Sequence, residues 1–162
     1  MLANLLPGYQ HLQNIPPLTV HFPIAFLYGA ALFYFLAWVW GSHRQTFAVA
    51  GFALLLVGAV SAAVAAGTGL YIEEGVMIAK SVRENLLEVH EYIMLGVTGL
   101  SVVLTAWAVW KRPFPQKGRL VFLTLFLVMI LALAWGADFG GRMVYDYNAG
   151  GSACPQFIEF TK

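Results

Sequence analysis

Charge and cysteine are what this sequence has least of. Asp, Glu, Lys and Arg make up 10% of its 162 residues, where a soluble domain carries about 25%. Hydrophobic residues make up 60%. So much apolar surface cannot be hidden from water in so small a volume, so a water-soluble fold is excluded and lipid is the expected solvent. The one cysteine, Cys154, cannot form an internal disulfide. Its Ser-Ala-Cys-Pro setting lacks the second cysteine and the histidine of a covalent haem motif. That leaves pairing between chains of a homo-oligomer, or burial under the tail. A Walker loop, a His-Glu-x-x-His helix and a nucleophile elbow are all missing, which argues against nucleotide and hydrolytic chemistry. A net charge of +1, with no basic run, argues against a nucleic-acid partner. The first seventeen residues contain no Lys or Arg, so a cleaved signal peptide with a basic n-region is not expected.

What is present is apolar sequence in long runs. Four stretches, roughly residues 18–40, 46–72, 89–110 and 120–145, each reach the ~20 residues that a helix needs to cross the hydrocarbon core. Backbone groups in lipid must be satisfied internally, so the stretches are helices. The connections 41–45 and 111–119 are short, which makes consecutive helices antiparallel neighbours. Between the second and third spans, Val76, Ala79, Val82, Leu86 and Val89 recur at helical spacing, with Lys80, Arg83, Glu84 and Glu88 on other faces. That pattern predicts a short amphipathic helix on the membrane surface, or a helical extension of the third span. The expected fold is therefore all-α: a four-helix antiparallel transmembrane bundle forming one integral membrane domain, with an exposed tail over residues 146–162.

Charge sets the orientation. The first loop holds Arg44 and the third holds Lys111, Arg112, Lys117 and Arg119, while Lys80 and Arg83 of the second are balanced by Glu73, Glu74, Glu84 and Glu88. The positive-inside rule puts the first and third loops in the cytoplasm and both termini outside, which is the periplasm for a bacterial inner membrane. Trp38, Trp40, Trp107 and Trp110 then fall at the inner ends of the first and third spans as an interfacial belt, and Trp135 reads as packing.

His21 and His90 open the first and third spans. These spans run the same way, so the two imidazoles are level at the outer face. An ionisable residue inside a span is a functional candidate by default. Each sits in a first helical turn, His21 with Pro23 two residues on, where the helix dipole and partial burial favour the neutral, metal-binding imidazole. At the same level Asp138 and Arg142 are four residues apart and predict an ion pair. Small residues at helical spacing, Ala25 and Gly29, Gly58, Ala62 and Ala66, Gly96 and Gly99, Gly136 and Gly140, predict close helix approach, or room for a flat cofactor.

The stretch from Val20 to Ala25, the Ala66-Gly67-Thr68-Gly69 turn, the His90 opening and the run from Asp138 to Tyr145 resemble the bacterial four-helix membrane family known as domain of unknown function 2231, over roughly residues 16–151. The family often carries an earlier histidine before His-Phe-Pro. Here that place is taken by the segment Pro16-Pro17-Leu18-Thr19-Val20, and His11 is a candidate substitute. The resemblance implies the fold and a membrane location. Because members occur with cytochrome-like modules, it also implies electron transfer by association only.

The leading expectation is a b-type haem with His21 and His90 as axial ligands, shuttling electrons to a periplasmic cytochrome or within a redox complex. Asp138, Arg142, Tyr71, Tyr92, Gly29 and Gly96 are the expected cofactor-lining residues, with Tyr145 as a further hydroxyl. The alternatives are a non-catalytic membrane subunit or assembly partner whose polar set locks the bundle, and a quinone or proton site on His90, Glu91 and Asp138. A zinc or copper site would need Glu88 or Asp138 as an added ligand. His43 reads as loop.

Overall fold

A computed structural model of the chain describes residues 19–72, 76 and 78–149. Of these, 87% are helical and none lies in a strand. Four long helices follow one another: α1 (His21–Val39), α2 (Arg44–Ile72), α3 (Glu88–Lys111) and α4 (Arg119–Tyr145). The boundaries fall within a helical turn of the expected ones, except that the helix of the third span already begins at Lys80. His11, Pro16, Pro17, Glu73, Glu74, Cys154 and most of the tail lie outside the described residues.

The helices form where the chain offers long apolar runs and no polar backbone alternative. Four Ser and Thr hydroxyls inside the spans are satisfied by their own helix. Ser61 donates to the Gly58 carbonyl, Thr98 to Met94, Thr105 to Ser101, and the fully buried Ser101 to Thr98 at 2.7 Å. Such back-bonding lets a hydroxyl sit in an apolar medium without an orphaned donor. Pro23 falls in the first turn of α1, where its missing N–H breaks no helical bond. Gly118, at φ +82°, makes the left-handed turn that starts α4. The second connection resolves into the extension and not the surface helix. A short turn, Lys80–Val82, runs through a π-helical segment, Arg83–Leu87, straight into α3. Its apolar side, Ala79, Val82 and Leu86, is buried against Met143 and Phe139 of α4.

Around the bundle α1 packs on α2, α2 on α3, α3 on α4 and α4 on α1, so α1 and α3 face each other across the diagonal. All four are long and apolar enough to cross a membrane, yet only 22–33% of the most apolar window of each is buried inside the bundle. The remaining apolar surface faces outward, which only lipid contact stabilises. At the end carrying Arg44, Lys111, Arg112 and Arg119, here the basic end, the interior is aromatic. The buried Tyr34 ring lies 5.0 Å from Phe122 and 5.5 Å from both Phe114 and Phe126, and its hydroxyl donates to the Pro113 carbonyl at 3.0 Å. Two glycines of α2 bring α1 close there and at mid-height: a Cβ on Gly51 would meet the Tyr34 ring and backbone, and one on Gly58 would crowd Leu27.

Candidate functional site

The opposite, histidine end carries nearly all the candidate chemistry. At about 1.5 Å per residue, His21 lies about 27 Å from Val39, His90 about 32 Å from Lys111 and Asp138 about 29 Å from Arg119. These heights place all three near one edge of a hydrocarbon core about 30 Å thick. The expectation that they share a layer holds. Which of them face one another depends on the rotation of each helix.

His90 points inward. It continues the buried stripe of α3 that runs through Val97, Ser101, Leu104 and Ala108, and its ring rests over Gly140, where a Cβ would stand 3.1 Å from Cε1. Nδ1 lies 2.7 Å from the Gly136 carbonyl oxygen. A carbonyl only accepts, so Nδ1 carries the proton and donates, and in the neutral ring Nε2 keeps its lone pair. The missing side chain of Gly140 leaves room for the imidazole to lie against the α4 backbone. Gly136 is filled equally tightly, since a Cβ there would collide with Met94 and Ile93.

His21 is exposed. It lies nine residues, and so about half a turn round the helix, from the fully buried Ala30, on the side of α1 that faces away from the bundle axis. The structure therefore sets the two histidines level but does not bring their rings together. Asp138 is likewise exposed and lies nine residues, again about half a turn, from the fully buried Met129. It is on the far side of α4 from His90, so the imagined grouping of His90 with Asp138 is not formed. Tyr71, Tyr92 and Tyr145 are 90%, 74% and 87% exposed and also face outward. Among the described residues, no three His, Cys, Asp or Glu side chains come together as a metal-holding group.

The expected Asp138–Arg142 pair is replaced by Arg142–Asp146, Nε to Oδ2, at 3.8 Å. Both carboxylates are four residues from Arg142. The outer one wins because it draws the guanidinium toward water, and a charge near the bilayer edge turns to the wet side. This alternative was visible in the spacing.

The small residues divide in two. Gly58 lies against Leu27, Gly29 against Leu54 at 3.2 Å, and Gly136 and Gly140 against α3, all closing helix contacts. Gly96 and Gly99 face outward with nothing within 4 Å of an added Cβ. Neither group leaves a cleft on the bundle axis. Gly29, expected to line a cofactor, is covered by Leu54, and Gly96 opens to the membrane side. Trp38, Trp40 and Trp110 are exposed at the basic end as a belt requires, whereas Trp107 packs edge-on to Phe122 at 5.7 Å. Trp135, expected as packing, is 61% exposed and meets Phe139 edge to face. Two features escaped the sequence reading. The Gly136 carbonyl is a backbone group with no residue signature, and buried Tyr34 was hidden in an aromatic-rich run.

The filled interior, outward-facing polar rim and four lipid-facing helices define a multi-pass membrane protein built as a helical bundle. A family model described as "Predicted membrane protein (DUF2231)" matches residues 13–153, and the chain belongs to that family. No curated protein and no solved structure gives a significant match.

Proposed function

We propose that this chain is a non-catalytic membrane subunit that packs against another membrane protein through the outward-facing residues of its histidine end. One observation carries the reading. The polar side chains His21, Tyr71 and Tyr92 gathered in that layer point away from the bundle axis. Polar groups turned toward lipid at the edge of the hydrocarbon core gain hydrogen bonds from a partner that acyl chains cannot give, so outward-facing ones favour a neighbouring chain. The exposed Gly96 and Gly99 on α3, in line with Tyr92, supply a surface that a second helix can approach closely. Arg44, Lys111, Arg112, Lys117 and Arg119 at the basic end favour a cytoplasmic placement of that end, in a bacterial inner membrane with both termini periplasmic.

The test is photo-crosslinking in native membranes, with a photoreactive residue at Tyr92 or, as control, at Val121 near the basic end. The expected result is a discrete protein adduct from position 92 and lipid adducts only from 121. Lipid adducts alone at both positions, and at Tyr71, would overturn the reading.

A bis-histidine haem within one copy has less support, since His21 is exposed on the outer side of α1 while His90 bonds the Gly136 carbonyl of α4. One observation favours a modified version of that reading. A ring proton held by a carbonyl is the arrangement that orients a metal-binding imidazole, and the His90–Gly136 bond supplies it. His90 would then hold haem with its second ligand from a neighbouring chain, and such a protein would transfer electrons. Protein purified in mild detergent from haem-replete cells decides the matter: a low-spin haem spectrum lost in His90→Ala supports this version, and a colourless folded preparation removes it. A quinone or proton site on His90, Glu91 and Asp138 has less support, since Asp138 lies behind α4 as seen from His90.

A further inference from the structure

The end of α4 carries a shallow depression on its outward side, edged by charged side chains. Asp138, Gly141, Arg142, Tyr145 and Asp146 line a shallow space of about 310 Å³. None of these residues belongs to the His90 contact. From Asp138 to Asp146 the helix and its cap rise about 12 Å, starting at the hydrocarbon edge and crossing the layer where lipid head groups lie.

The charges along this face run acid, base, acid. Arg142 stands one turn above Asp138 and one turn below Asp146. Its 3.8 Å approach to Asp146 is longer than a charge-assisted hydrogen bond of about 2.7–2.9 Å. The guanidinium, 42% exposed, therefore keeps donors for another acceptor. Asp138 makes no ion pair among the described residues, although it is exposed at membrane depth. Gly141 leaves the floor open, with nothing within 4 Å of an added Cβ.

We propose that this depression binds the head group of an aminophospholipid, with its phosphate on Arg142 and its primary ammonium against the flanking carboxylates. Electrostatics selects the class. Two carboxylates and one guanidinium leave a net negative site, which repels an anionic head group and suits a zwitterion. A primary ammonium donates hydrogen bonds to carboxylates, and a quaternary ammonium cannot, so an ethanolamine head group is preferred to choline. Membrane depth selects a lipid over a free amine. A second open depression between α1 and α2, lined by Phe22, Phe26, Val57, Val60 and Val64 with Thr19 and Ser61, exposes no polar surface and offers no head-group selection. The proposal does not depend on the subunit reading above.

Native mass spectrometry of the delipidated full chain in detergent tests it. Phosphatidylethanolamine, phosphatidylcholine and phosphatidylglycerol are added singly at equal concentration, and retained lipid is measured. The expected order is ethanolamine, then choline, then glycerol. Arg142→Gln and Asp138→Asn are each expected to lower ethanolamine-lipid retention about fivefold, the effect of one charge near a membrane surface. Gly141→Leu fills the depression without altering charge or bundle contacts and is expected to lower it as well. Equal retention of the three lipids, or a preference for phosphatidylglycerol, overturns the proposal without any variant. Unchanged selectivity in a folded Gly141→Leu protein overturns it too, because the lipid is then bound elsewhere.

Discussion

The two ends of the bundle are closed in different ways. At the basic end, Tyr34, Phe114, Phe122 and Phe126 interlock, and the Tyr34 hydroxyl ties α1 to the third loop. At the histidine end, closure rests on thin contacts: one imidazole lying on glycine backbone, one hydrogen bond to a carbonyl, and the short apolar strap of Ala79, Val82 and Leu86 on Met143. Between lipid-embedded helices the apolar driving force is weak, since acyl chains are as apolar as the interior. Fit and directed hydrogen bonds decide instead. Bulky rings hold the basic end, while the histidine end is held by one hydrogen bond and by side chains seated on glycine backbone. The candidate chemistry lies at that end.

Variants can break this contrast. The largest effect is expected at the aromatic end. Tyr34→Ala removes a fully buried ring and its bond to Pro113 and should cost about 2–4 kcal/mol, below the range for aqueous cores because lipid also solvates the unfolded helices. Unfolding in mixed micelles with rising dodecyl sulfate measures it; a cost under about 1 kcal/mol would show that the ring cluster is not the clamp. Next is Gly136→Val, whose side chain meets Ile93 and Met94. About 1–3 kcal/mol of overpacking is expected, and the same titration would show wild-type stability if α3 simply moved away.

Smaller effects sharpen the comparison. His90→Phe keeps the bulk but loses the bond to Gly136, at an expected cost of about 0.6–1.7 kcal/mol. His90→Gln, which can still donate, should recover part of it. Equal losses in both variants would mean that ring shape and not the hydrogen bond holds the contact. Smallest is Gly96→Leu. Nothing stands within 4 Å of its Cβ, so stability of the isolated chain should change by less than about 0.5 kcal/mol. Crosslinking from position 92 should nevertheless fall, because the added side chain keeps a second helix away. A large loss of stability in the isolated chain would place Gly96 inside the bundle contacts.

Much of the fold was legible from residue order. Apolar run length gave the four spans, and the short connections gave their antiparallel order. The three-and-four spacing of Ala79, Val82 and Leu86 identified a buried helical side before α3, although it left open whether that helix was separate or continuous. The site was legible only in part. His90 was found and proved to be an inward residue. His21, identical in type and height, faces the other way. Arg142 was correctly placed at the helix end but with the wrong one of two equally spaced carboxylates.

Sequence alone determined the number of spans, their alternating order and the height of the polar residues along each, because run length and short connections fix these one helix at a time. Only tertiary structure decided the rotation of each helix about its axis, and with it whether His21, His90 and Asp138 look at one another. The reason is that a lipid-embedded helix is apolar all round. Its inward and outward faces differ in shape and small-residue placement, not in hydrophobicity, so the period that orients a helix in water is nearly silent here.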